Sequence, residues 1–123
     1  GIRNIGSDGV SYMKVAVVGS RNRTISPMEL ANYLPDNTDC IVSGGARGID
    51  RCAALYAHTR GVRLIEILPD YPRYGHSAPI RRNGEIVELA DYVLIFWDGT
   101  SPGSRNVIQR CRDTGTPYRI ELL

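Results

Sequence analysis

Apolar positions fall in short unbroken runs, each stopped by glycine, proline or a polar cluster. "KVAVVGS" (14–20), "DCIVS" (39–43), "VRLIEILP" (62–69), "DYVLIFW" (91–97) and "PYRIELL" (117–123) read as strands. Their length and continuity suit strands covered on both faces. Between them the apolar residues change to helical spacing. "SPMELANYL" (26–34) opens with Ser26 as N-cap, Pro27 at the first helical position and Glu29 in the first turn. "GIDRCAALYAHTRG" (48–61) closes on Gly61, "GEIVELA" (84–90) is short, and "RNVIQRCRDTG" (105–115) stops at Gly115. The connection "DYPRYGHSAPIRRN" (70–83) shows no period and is expected to be a long polar-aromatic loop, well above the usual ~2–6 residues.

Strands alternating with helices imply a Rossmann-like three-layer α/β sandwich around a five-stranded parallel sheet. The expected strand order is 3-2-1-4-5, with the topological switch between the first and fourth strands. Gly19, Gly44, Gly45, Gly99 and Gly103 all follow strands. They therefore line one edge of the sheet, where open α/β folds bind ligands. The 123 residues make one domain, expected to begin at Met13. Residues 1–12 lack periodicity and are expected to be a leader or disordered extension.

Composition narrows the classes. No apolar run approaches the ~18 residues that span a bilayer. Cys40, Cys52 and Cys111 are odd in number, lack CxxC spacing and sit in apolar segments, which reads as buried reduced thiols in a cytoplasmic protein. His76 has no second histidine or cysteine nearby, and only His58, on a helix, remains elsewhere, so no metal site is expected. The net charge of +2 is too small to announce bulk nucleic-acid binding, yet 14 of the 15 basic residues are arginine, Lys14 being the exception. Arginine's planar fork suits phosphate and carboxylate.

Chemistry is concentrated in the loops at the glycine-rich edge. "GSRNRT" offers Ser20 and Arg21 but is neither a Walker A nor a G-x-G-x-x-G sequence. "SGGARG" combines adjacent glycines with the start of a helix, a backbone nest for an anion beside Arg47 and Asp50; a tight strand-to-helix turn is the alternative. The 70–83 connection interleaves tyrosines and arginines, able to stack on a base and contact phosphate. "WDGTSPGSRN" again joins glycines and hydroxyls to a helix start.

These segments, with "VAVVGSRN", "IVSGGARGID", "LPDYPRYGHSAPIRRN" and "ADYVLIFWDGTSPGSRNVI" in this order, resemble the SLOG superfamily. That Rossmann-like group takes its name from DNA-processing protein A and the Lonely Guy proteins. The resemblance runs from Met13 to Leu123 and is strongest toward the small bacterial and phage YspA-like domain. It implies a nucleotide or nucleotide-derived ligand at the sheet edge, held by Gly19, Ser20, Arg21, Gly44, Gly45, Ala46, Arg47, Asp50, Tyr74, Arg82, Asn83, Asp98, Gly99, Ser101, Gly103 and Ser104. Arg82 is preferred to Arg81 because it directly precedes Asn83, as in the family's R-N pair. Hydrolytic members of the superfamily place a glutamate soon after a P-G-G-x-G-T loop. Here "SPGSRNVI" is followed by no acid before Asp113.

The expectation is a sensor-like nucleotide-binding domain without a cofactor. A nucleoside-monophosphate phosphoribohydrolase is the alternative, and single-stranded nucleic-acid binding a second. Nucleic acid is ranked an unlikely partner, because Asp50, Asp70 and Asp98 sit among basic residues that gather around one point instead of forming a track. No membrane partner is expected, and homo-oligomerisation is left open.

Overall fold

In the computed structural model, residues 4–5 and 11–123 are described. The strands are β1 (Asn4–Ile5), β2 (Ser11–Gly19), β3 (Thr38–Ser43), β4 (Arg63–Glu66), β5 (Tyr92–Trp97) and β6 (Tyr118–Leu122). The helices are α1 (Pro27–Ala31), α2 (Ile49–Arg60), α3 (Tyr71–Tyr74), α4 (Ala78–Leu89) and α5 (Pro102–Thr114). Five strands pair in parallel in the order β4-β3-β2-β5-β6, the expected 3-2-1-4-5. β1 adds to β2 in the antiparallel sense, Asn4 opposite Tyr12 and Ile5 opposite Ser11. The leader expected over 1–12 falls largely outside the described residues.

Alternation along β2 explains the three layers. Val15 and Val17 point to one face and pack with Leu30, Ile49 and Phe96 under α1 and α2. Ala16 and Val18 point to the other and pack with Ile86, Val107 and Ile108 under α4 and α5. A strand buried on both faces cannot alternate with polar residues, so it reads as an apolar run. Each buried valine or isoleucine contributes roughly 1.5–3 kcal/mol of transfer free energy.

Several boundaries differ from the sequence expectation, and one of them moves functional residues. α1 ends at Ala31, and the next residues tighten into a turn: Asn32, Tyr33 and Leu34 donate to the carbonyls of Glu29, Leu30 and Ala31. Pro35 follows and disfavours a helical Leu34. More consequentially, the 70–83 connection is not a loop. Asp70 caps α3, its Oδ1 accepting from Arg73 N at 3.2 Å. A 3₁₀ turn (Gly75–Ser77) leads straight into α4, whose first turn accommodates Pro79. Proline is tolerated there because a first-turn N–H has no helical acceptor to lose. Arg82 and Asn83 thus lie on a helix, and both are buried.

Candidate functional site

The chain leaves β2 toward α1 and leaves β5 toward α5, so the two loops part at the switch between adjacent strands. A cavity of about 390 Å³ opens there. Its floor comes from Gly19 and Ser20 after β2, and one side from Gly44, Ala46 and Asp50 between β3 and α2. Arg82 and Asn83 reach in from α4, and Asp98, Ser101, Gly103 and Ser104 from the turn into α5. Arg21 stands at the rim.

Local packing fixes these groups. Ser20 N donates to the Phe96 carbonyl at 3.1 Å, and Ile49 N donates to the Ser20 carbonyl at 3.3 Å, tying the first loop to the start of α2. Gly48 permits that contact with φ of 76°, since a Cβ would lie 2.5 Å from the Ser20 carbonyl oxygen. Gly44 allows a second close approach. Arg82 Nη1 donates to the Gly44 carbonyl at 2.7 Å and Nε donates to Asn83 Oδ1 at 3.0 Å. Asn83 Nδ2 in turn donates to Asn106 Oδ1 at 3.1 Å, coupling α4 to α5. This network orients a buried guanidinium at the cavity wall.

The acids around it are turned into the backbone. Asp50 Oδ2 accepts from Ala46 N at 3.2 Å. Burial pushes its carboxyl above the usual range, opposed by that N–H and by the Arg82 charge. Burial likewise lowers Arg82, opposed by Asp50. Asp98 is exposed, and its Oδ1 accepts from Ser101 N at 2.8 Å and Thr100 N at 2.9 Å. These N–H groups hold it at about 2. Ser101 Oγ, by contrast, is buried without a hydrogen-bond partner.

Gly45 and Arg47 do not line the cavity. They line an adjoining groove of about 380 Å³ with Leu68 and Pro69, which shares Arg21, Gly44, Ala46 and Arg82 with the cavity. Cavity and groove are one cleft along the C-terminal edge of the sheet. Tyr74 lies elsewhere, in a groove with Arg81, Gly84 and Arg110 between α4 and α5. Gly99 lines none of these. The apolar cavity walls, including Pro79, Ile86, Pro102 and Val107, were not anticipated. Ile86 and Val107 carried the helical periodicity of core residues, and nothing in sequence marks a core residue as also facing a cavity. Among the described residues no cluster of three or more metal-ligating side chains forms.

Fold and cleft define a Rossmann-like domain of the SLOG type, with its polar site at the switch point. The family model of DNA recombination-mediator protein A matches residues 6–112, and the chain belongs to that family. No curated protein matches the sequence. DNA processing protein A from Streptococcus pneumoniae superposes with a TM-score of 0.72 at 24% identity, over 89% of this chain and 50% of that one. DNA processing protein A from Helicobacter pylori superposes at 0.67 and 23% identity, over 88% of this chain and 64% of that one. The chain therefore spans about half and under two-thirds of these structures.

The comparison corrects one expectation. The expectation that nucleic acid is an unlikely partner does not hold: the family is that of a DNA recombination mediator, and the Helicobacter pylori structure is described by its single-stranded DNA binding mode. The physical reason lies in the three acids that argued against it. Asp50, Asp70 and Asp98 each accept backbone N–H bonds that shape the loops.

No helix among the described residues is long and apolar enough to cross a membrane.

Proposed function

We propose that this chain binds single-stranded DNA along the C-terminal edge of its sheet, as a DNA-processing domain acting in the cytoplasm. Strand phosphates would rest on Arg21, Arg47 and Arg82 and on the glycine-rich backbone after β3. The observation that carries this reading is the continuity of the cleft. Arg21 and Arg82 line both the cavity and the groove, and Arg47 extends the groove. A second fact supports it. Among the described residues the one ion pair is Arg119–Glu121, at 2.6 Å on β6. Arg21 and Arg47 are exposed with no carboxylate partner, so they can meet phosphates without breaking an internal pair.

Fluorescence anisotropy of a labelled oligo-dT across a salt series tests the proposal. Three phosphate contacts predict that log Kobs falls with log[salt] at a slope of about −2, from ~0.7 per contact on single strands. No binding at low salt, or a slope near zero, would refute it.

A nucleotide-derived small molecule is a second reading, favoured by the cavity's apolar walls and the unpartnered Ser101 hydroxyl. A thermal-shift panel separates the two. Mononucleotides that stabilise the protein at concentrations where oligo-dT does nothing would favour the small ligand.

A further inference from the structure

The rim of the cleft carries an apolar surface that phosphate binding leaves unexplained. Leu68 is 64% exposed, Tyr71 52% and Ile80 51%. Leu68 lines the groove, and Ile80 follows the cavity-lining Pro79 on α4. Tyr71 opens α3 two residues after the groove-lining Pro69. The two tyrosines of α3 are in different states. Arg73 and Arg81 sit 5.1 and 4.5 Å from the Tyr74 ring centroid, so that ring is already occupied. The Tyr71 side chain makes no hydrogen bond or ring contact among the described residues. A half-exposed aromatic with no ring partner, on a cleft rim that also exposes Leu68 and Ile80, marks an interaction surface.

We propose that Tyr71, on the segment that leads from the groove-lining Leu68 and Pro69 into α3, is a stacking platform for a base of the single strand whose phosphates follow the arginine-lined cleft. This rests on the single-strand reading above. The occupant follows from position. The platform adjoins the arginines that would hold the backbone, and an unpaired strand presents base faces within a nucleotide's length of its phosphates. Stacking on tyrosine tolerates every base because each has a π-face, and the phenol hydroxyl can stay in water. The contact is to base and not to phosphate, so it is nearly independent of salt.

The test compares oligo-dT with an abasic strand of equal length, which keeps the phosphates and loses the bases. Tyr71→Ala should weaken oligo-dT binding roughly 5- to 150-fold. It should leave the abasic affinity and the salt slope unchanged, and Tyr71→Phe should restore binding. In Tyr71→Trp, oligo-dT should quench the added indole emission relative to wild type, while the abasic strand should not. If Tyr71→Ala does not fold, that quenching decides alone. Wild-type affinity in Tyr71→Ala overturns the platform and leaves the cleft standing, as does an equal loss on both strands. Changed self-association with unchanged oligo-dT affinity would make the patch a protein interface and overturn it too. Wild-type protein binding neither strand would remove the single-strand reading itself, and the platform with it.

Discussion

Gly44→Ala isolates the contact on which the cleft is built. Gly44 is buried and its φ lies outside the left-handed region, so alanine meets no backbone penalty. By restricting the unfolded chain, the change should even stabilise by ~0.4–1 kcal/mol. Sterics act the other way. The new Cβ would lie 2.6 Å from Arg82 Nη1, 2.9 Å from its Cζ and 3.0 Å from Asp50 Oδ2. An arginine on the surface would swing aside cheaply. Arg82 is 9% exposed and tied to both the Gly44 carbonyl and Asn83, so moving it breaks a charged hydrogen bond worth ~1.5–3 kcal/mol. With partial relaxation, the net destabilisation should be about 1–3 kcal/mol. For a domain of this size that lowers Tm by about 4–12 °C, readable by circular dichroism. Oligo-dT affinity should fall as well, because the displaced guanidinium leaves the cleft wall. In an Arg82→Ala background the stability cost of Gly44→Ala should largely disappear, which a double-mutant cycle measures. An unchanged or raised Tm with full oligo-dT affinity would show that this packing constrains neither the fold nor the site.

Arg47→Ala should change stability by at most ~0.5 kcal/mol. It should weaken oligo-dT binding roughly 10- to 100-fold, the value of a charge-assisted hydrogen bond. Anisotropy should also show the salt slope shallower by about 0.7, and an unchanged slope would remove Arg47 from the phosphate path. Asp50→Asn tests the buried carboxyl. Its folded pKa is raised by burial, so the folded state binds its proton more tightly than the unfolded chain does. Its contribution to stability therefore falls as pH rises from the unfolded value toward the folded one. Asp50→Asn should be the more stable protein at neutral pH, with the advantage shrinking as pH falls from the raised folded value toward the unfolded one of about 4. Denaturant melts across pH check this, and a wild-type advantage at neutral pH would contradict it. Release of free base from nucleoside monophosphates should stay at background. Asp113, the first acid after the Ser101 turn, is exposed in the last turn of α5 and accepts from Gln109 Nε2 at 2.9 Å, away from the cavity. Turnover abolished by Asp50→Asn would reverse that assignment.

The strands and their order were legible because double-sided burial leaves a direct trace. Val15, Ala16, Val17 and Val18 must all be apolar when α1 and α2 cover one face and α4 and α5 the other. The turn residues were legible for a related reason. Glycine at 44 and 48 is demanded by side chains and carbonyls that approach too closely for a Cβ. The segment from Asp70 to Asn83 was misread because its prolines and glycine are ordinarily breakers. Here Pro72 and Pro79 occupy first helical turns, and Gly75 takes the positive φ between α3 and the 3₁₀ turn. The same residues can stop a helix or start one, and only the packing of Ile86 and Val87 against the sheet decides.

Charge was misread for a deeper reason. A sequence gives the sign of each side chain but not where its hydrogen-bonding capacity goes. Asp50, Asp70 and Asp98 looked like a repulsive set among the arginines, unfavourable to a polyanion. In the fold each binds backbone N–H groups that set a turn or helix start next to the cleft. Asp98 keeps its charge to about pH 2, but its Oδ1 is engaged by Thr100 and Ser101. Asp50 is weakened as an anion by burial. The arginines Arg21 and Arg47, meanwhile, stay exposed and without a carboxylate partner among the described residues. A domain of net charge +2 can thus present a locally cationic cleft, because its acids serve the loops while Arg21 and Arg47 form no ion pair among the described residues. For a binding surface, the division of labour between opposite charges matters more than their sum.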